Sequence, residues 1–230
     1  MIISRPVQYT SDPVGYRRVF AALGLAPLQE SEDWSVYAAG DGRVALHRVD
    51  AGDELDSGAA LGFESDDLDA VVGAFGDAAR RFTAENGARG VAIDGELEIV
   101  VLEPAPGEAV GTAGLRALGV WVSPNVKSAA SVLERLGLRA EVRSDSGQWV
   151  QLTADAGLAA VHDGAMPGVQ LSFEYLDDVD ELAQRLAAAG VEAQVVDESY
   201  GRTLLVVRPD GGEPIWINER QSDLYGYTAL

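Results

Sequence analysis

The chain of 230 residues is 47% hydrophobic and 23% charged, a soluble globular composition with room for two cores in domains of about 100 residues each. Its 37 acidic and 17 basic residues give a formal net charge of −20, which excludes nucleic acid as a partner, because a phosphate backbone calls for a basic stripe. There is no cysteine, no signal peptide and no apolar run near the ~20 residues of a membrane helix, so a cytoplasmic protein without disulfides or thiolate chemistry is expected.

In chain order, a strand at Arg5–Tyr9 leads into a helix from Asp12 to Leu23, followed by strands at Trp34–Ala38 and Arg43–Val49. A second unit opens with the strand Ala60–Glu64, places Asp66 and Asp67 at a helix start, where carboxylates suit the exposed N–H groups, and ends with Leu97–Glu103. The Pro/Gly stretch Pro104–Gly111 then reads as a linker between domains at 1–105 and 112–230. The third unit has strand Ala117–Ser123, a helix from Asn125 to Leu136, and strands at Arg139–Arg143, Gln148–Thr153 and Leu158–His162. The fourth opens with Gln170–Glu174, carries a helix from Asp177 to Ala189 that stops at Gly190, and closes with a hairpin, Arg202–Arg208 and Pro214–Glu219 around Pro209–Gly212.

The halves repeat. Trp34 precedes His47 by thirteen residues and Trp149 precedes His162 by the same gap; these are the two histidines of the chain. Each pair follows a helix ending in Leu-Gly-Leu, at Leu23–Leu25 and Leu136–Leu138. A repeat of this length signals a duplicated domain, so equivalent positions can be compared within one sequence.

On Leu171–Glu174 with Asp177, Asp178 and Asp180, the helix end Arg185–Val191, and Arg208–Gly211 with Pro214–Glu219, the chain resembles the vicinal oxygen chelate superfamily of glyoxalases, extradiol dioxygenases and bleomycin-resistance proteins. The resemblance implies an α+β fold of four βαβββ modules in two glyoxalase-like domains, with sheets curled around a concave cavity. In catalytic members a divalent metal on that face takes His and Glu from module-opening and module-closing strands. Aligning the modules puts Ser4, Ala60, Ala117 and Gln170 at the opening positions, and Ala45, Val100, Ala160 and Trp216 at the closing ones. Gln170 alone could ligate, so no metal and no other cofactor is expected.

Strand alternation then fills the concave face with Pro6, Gln8, Gly62, Glu64, Gly119, Trp121, Ser172 and Glu174 from opening strands. Closing strands contribute Arg43, His47, Leu102, Leu158, His162, Pro214 and Asn218. With Trp216, Gln170 and the rim tryptophans Trp34 and Trp149, this surface suits a planar aromatic ligand, cationic where Glu64 and Glu174 meet it. Tyr16, Tyr200, Tyr225 and Tyr227 are lid candidates. The expected function is metal-free sequestration of a bulky, partly aromatic natural product by a monomer or homodimer. The alternatives are a metal-independent isomerase or cyclase with His47 or His162 as base and Glu64 or Glu174 as acid, a metal-dependent dioxygenase or glyoxalase, and a structural scaffold.

Overall fold

The computed structural model describes residues 1–84, 87–107, 110–198, 201–220 and 225–230. The fold is α+β, built from four βαβββ modules. In the first module β1 (Ile2–Ser4) and β2 (Val7–Thr10) precede α1 (Pro13–Leu23), and β3 (Ala26–Glu30), β4 (Trp34–Ala38) and β5 (Arg43–Arg48) follow it. The second has β6 (Ala59–Ala60), β7 (Gly62–Ser65), α2 (Leu68–Phe75), β8 (Ala79–Thr83), β9 (Arg89–Ile93) and β10 (Ile99–Leu102). The third comprises β11 (Leu115–Ser123), α3 (Val126–Leu136), β12 (Arg139–Ser144), β13 (Trp149–Thr153) and β14 (Leu158–Asp163). The fourth comprises β15 (Gly168–Tyr175), α4 (Val179–Ala188), β16 (Ala193–Glu198), β17 (Gly201–Val206) and β18 (Ile215–Glu219), with β19 (Tyr227–Ala229) ending the chain.

The repeated Leu-Gly-Leu is a helix stop. Gly24 and Gly137 sit at φ of 77° and 111° as the C-caps of α1 and α3. The next N–H, from Leu25 or Leu138, then returns to the carbonyl of Phe20 or Leu133. This is the Schellman closure that glycine permits without steric strain. Asp12 and Asn125 cap the opposite ends by accepting the N–H groups of Gly15 and Ser128.

The C-terminal half forms one nine-stranded sheet, in the order β16-β17-β18-β15-β11-β14-β13-β12-β19. The N-terminal half forms two five-stranded sheets, β1-β7-β10-β9-β8 and β3-β4-β5-β2-β6. Pro6 marks the break. It has no N–H to donate, so its opening strand splits into β1 and β2, whereas Gly119 at the equivalent place leaves β11 continuous. The two positions meet: a Cβ on Gly119 would lie 3.4 Å from Pro6 Cβ and 3.0 Å from Leu61.

Two large cores lie on the helix-covered faces, and each draws on both halves. One joins Tyr16, Phe20 and Leu23 of α1 to Phe173, Leu182 and Leu186 of the fourth module. The other joins Leu68, Val71 and Phe75 of α2 to Ala129, Leu133 and Trp121 of the third. Between them the turns before β5 and β14 abut. Gly42 and Gly157 hold φ of 80° and 76°, and a Cβ on Gly42 would fall 2.8 Å from Gly157 Cα, so both positions need glycine.

Candidate functional site

The opposite, helix-free face of each half carries the functional candidates. Register fixes its rows. In the C-terminal half, Leu158, Leu118, Ser172, Trp216 and Leu205 stand side by side on β14, β11, β15, β18 and β17. Ala160, Val120 and Gln170 form the next row, and Trp149, His162 and Val122 the one beyond. On the other side lie Arg116, Glu174, Asn218 and Thr203. The sheet is strongly curled here: Gln151 on β13 reaches across two strands to Glu174 on β15 at 3.3 Å, a span of roughly 20 Å in a flat sheet.

The N-terminal rows match. Val7 pairs with both Ala45 and Ala60, as Val120 pairs with both Ala160 and Gln170. Counting from these pairs, Arg5 corresponds to Leu118, Arg43 to Leu158, and Glu64 to Glu174. Trp34, His47 and Tyr9 form the end row. The ring centroids of Trp34 and Tyr9 both lie 5.4 Å from that of His47, and Trp149 lies 5.9 Å from His162.

By register, Arg43, His47, Gly62, Glu64, Leu102, Leu158, His162, Gln170, Ser172, Trp216 and Asn218 share the helix-free faces, with Trp34 and Trp149 half-buried at the row ends. The opening strands of the first and third modules depart by one residue, which reverses every side chain. Trp121 is the main correction. It is 2% exposed, packs in the core beneath α2 and α3, and its Nε1–H donates to Glu96 Oε2 at 2.9 Å, so it lines no ligand surface. Ser4, Pro6, Gln8, Ala117 and Gly119 turn away likewise; Ser4 Oγ donates to the Leu158 carbonyl and Gln8 Nε2 to those of Tyr9 and Gly58. Arg5, Val7, Tyr9, Leu118 and Val120 take their places. Period-two alternation of Arg5, Val7 and Tyr9 against Pro6 and Gln8 was the signal that could have found them.

The lid expectation fails at Tyr16, which is fully buried and donates from its hydroxyl to Asp210 Oδ2 at 2.9 Å; burial pushes its pKa up. Tyr225 is exposed, Tyr227 lies on β19 paired with Ser144, and Tyr200 lies outside the described residues.

Neither glutamate is a free charge. Glu64 is fully buried, its Oε1 accepting from Arg5 Nη1 at 2.8 Å and its Oε2 from Arg43 Nη1. Burial lowers the pKa of Arg5, opposed by Glu64. Arg43 Nη1 also donates to the Ala105 carbonyl at 3.2 Å, so it is anchored rather than merely extended toward solvent. Glu174 accepts from Arg116 Nη1 at 2.9 Å, while Arg116 Nε donates to Asp41 Oδ2 at 3.0 Å. Burial works against the charge of Arg116, but the two carboxylates outweigh it and raise its pKa. These pairs remove the ground for an amine held by Glu64 or Glu174.

A metal does not fit. The face residues at the opening and closing positions are Val7, Ala45, Ala60 and Val100 in one half, and Val120, Ala160, Gln170 and Trp216 in the other. One amide oxygen among carbon side chains is no donor set for a divalent ion. Among the described residues, no three His, Asp or Glu side chains gather closely enough to hold one. Nor does each His share a site with its Glu. His162 pairs with Val122 and Glu174 with Arg116, six residues apart on β11, roughly 20 Å along a strand.

Two cavities lie beside these rows, the second touching them at Gln170. One of about 430 Å³ sits between the start of α2 and β8–β10, crossed by the exposed ion pairs Asp69–Arg81 and Arg89–Glu103. The other, about 40 Å³, lies between the halves and is lined by Gln8, Gln170 and Arg208; it has room for about one water.

With four modules, two helix-free faces and their rows in view, comparison with solved structures decides the fold. Catechol 2,3-dioxygenase aligns over 95% of this chain and 87% of its own, at 14% identity and a TM-score of 0.67. The chain has the vicinal oxygen chelate fold. Homoprotocatechuate 2,3-dioxygenase from Arthrobacter globiformis aligns over 99% of this chain and 79% of its own, at 15% identity and a TM-score of 0.67. The Mn(II)-bound glyoxalase from Novosphingobium aromaticivorans aligns over 96% and 81%, at 17% identity and a TM-score of 0.64. No protein-family model matches the chain, and no curated protein matches it. Among the described residues, no helix is long and apolar enough to cross a membrane.

Proposed function

We propose that this protein is a metal-independent binder of a planar, partly aromatic small molecule, held on the helix-free face of the C-terminal half. The observation that carries the reading is exposed Trp216, beside exposed Gln170 and the buried, mainly apolar floor of Leu158, Leu118, Ser172 and Val120: an accessible indole stands where the fold's enzymes need metal ligands. Trp149 and His162 add an edge-to-face aromatic pair at one end, and Asn218 supplies a sparse polar contact, while the buried Ser172 hydroxyl donates to the Trp216 carbonyl. Sequestration without turnover needs area and shape rather than an activated water, and the exposed Trp216, Gln170 and His162 supply the area. The separation of each His from its Glu does not support one acid–base pair acting on a single substrate atom.

The test is one purified sample assayed for metal content and titrated with planar aromatic antibiotics while tryptophan fluorescence is followed. Saturable quenching without product, lost on Trp216→Ala, supports sequestration. Metal near one ion per chain, or product formation, overturns it.

A further inference from the structure

The two halves differ in what they bury beneath equivalent strands. Where the C-terminal face has Leu118 and Leu158, the N-terminal face has Arg5 and Arg43. The fold therefore accepts leucine at both places, and the arginines answer some other need. Both oxygens of Glu64 are taken by the two guanidinia, which leaves one positive charge in excess within a protein of net charge −20. The Arg5 side chain is 3% exposed, and its Nε is buried with no acceptor. Arg43, 17% exposed, uses a neutral carbonyl, that of Ala105, as its second acceptor. The Trp34 ring lies 5.5 Å from the Arg5 guanidinium. A buried guanidinium with an unused donor is destabilising in a way that leucine is not.

We infer that the N-terminal helix-free face binds an aromatic carboxylate, its anionic group taken by Arg43 and Arg5 and its ring laid toward Trp34. The carboxylate displaces the Ala105 carbonyl from Arg43, replacing a neutral acceptor by a charged one, and brings the surplus positive charge to zero. Arg43 is the entrance and Arg5 the floor. The site is separate from the C-terminal face, so it stands or falls independently of ligand binding there.

The full chain is titrated by calorimetry with 1-naphthoate and with its neutral counterpart 1-naphthamide, in the wild type and in Trp216→Phe, which weakens the other face. The expected result is one naphthoate per chain in both proteins, with the amide weaker by about tenfold or more. Arg43→Leu, which installs the residue of the other half and leaves the Arg5–Glu64 pair, is expected to lose about tenfold or more in naphthoate affinity. Arg43→Lys keeps the charge but not the fork, and falls between the two. Equal binding of acid and amide, undiminished binding by both Arg43 variants, or no heat with millimolar naphthoate would each overturn the inference.

Discussion

On the N-terminal helix-free face two guanidinia share one carboxylate, Glu64; on the C-terminal face one guanidinium, Arg116, is shared by two carboxylates, Glu174 and Asp41. The same strand pairings support both arrangements, with Val7 and Val120 at matching centres. The difference teaches that backbone pairing and helix packing fix the fold while the ion networks on these faces vary independently of it. One face is buried, paired and positive in balance. The other has a buried apolar floor, bordered by exposed Trp216, His162 and Gln170.

The comparison can be sharpened by experiment. Trp121 and Trp216 look alike in sequence but occupy opposite faces of one sheet. Trp121→Ala is expected to destabilise the protein by about 4–5 kcal/mol, because it empties a core site and strips Glu96 of its donor. Chemical denaturation measures this, and a loss under about 1 kcal/mol would return Trp121 to the surface. Glu64→Gln should lower stability by about 3–4 kcal/mol, since it leaves Arg5 and Arg43 buried without their counter-charge. Glu174→Gln should lower it by markedly less, because Arg116 keeps Asp41; equal losses would abolish the contrast between the faces.

Trp216→Ala should leave the melting temperature almost unchanged and weaken aromatic ligand binding by about tenfold, or about 1.4 kcal/mol. The smallest expected effect concerns Asp210, which joins the halves through Tyr16. Burial alone would raise its pKa, but hydrogen bonds from Arg208, the Gly212 N–H and Tyr16 prevail and hold it below the ordinary range. Its contribution to stability is therefore complete above the unfolded value, about pH 4, and is lost as pH falls through the lower folded value. Asp210→Asn should flatten the acid limb of stability below about pH 4; an unchanged slope would show that the aspartate is not held this way.

Much of the fold was legible because its signals are local. The Leu-Gly-Leu stops, the Asp12 and Asn125 caps and the Trp-to-His repeat each fix a helix end or a strand within a few residues. Strand β3 escaped because Ala26–Glu30 has neither steady alternation nor an apolar run. The faces of β2 and β11 were misread because one residue separates inside from outside, and Ala117–Trp121 offers small and apolar residues to both. Glu64 and Arg43 were legible as face residues, but Arg5 was not: it lies 59 residues from Glu64, at the break between β1 and β2, where the facing was reversed. Arg116 escaped similarly, since its partners Asp41 and Glu174 lie in different halves.

The crossed cores bear on how the protein could be divided. Tyr16 and Phe20 pack with Phe173 and Leu186, and Phe75 packs with Leu133, so neither half encloses its own helices. A cut between 104 and 111 would give two pieces that each expose apolar helix faces and match no surface so well as one another. Co-expressed, they should find each other and restore both faces at once, which makes this chain a natural scaffold for fragment complementation, with reassembly readable from whichever face binds its ligand.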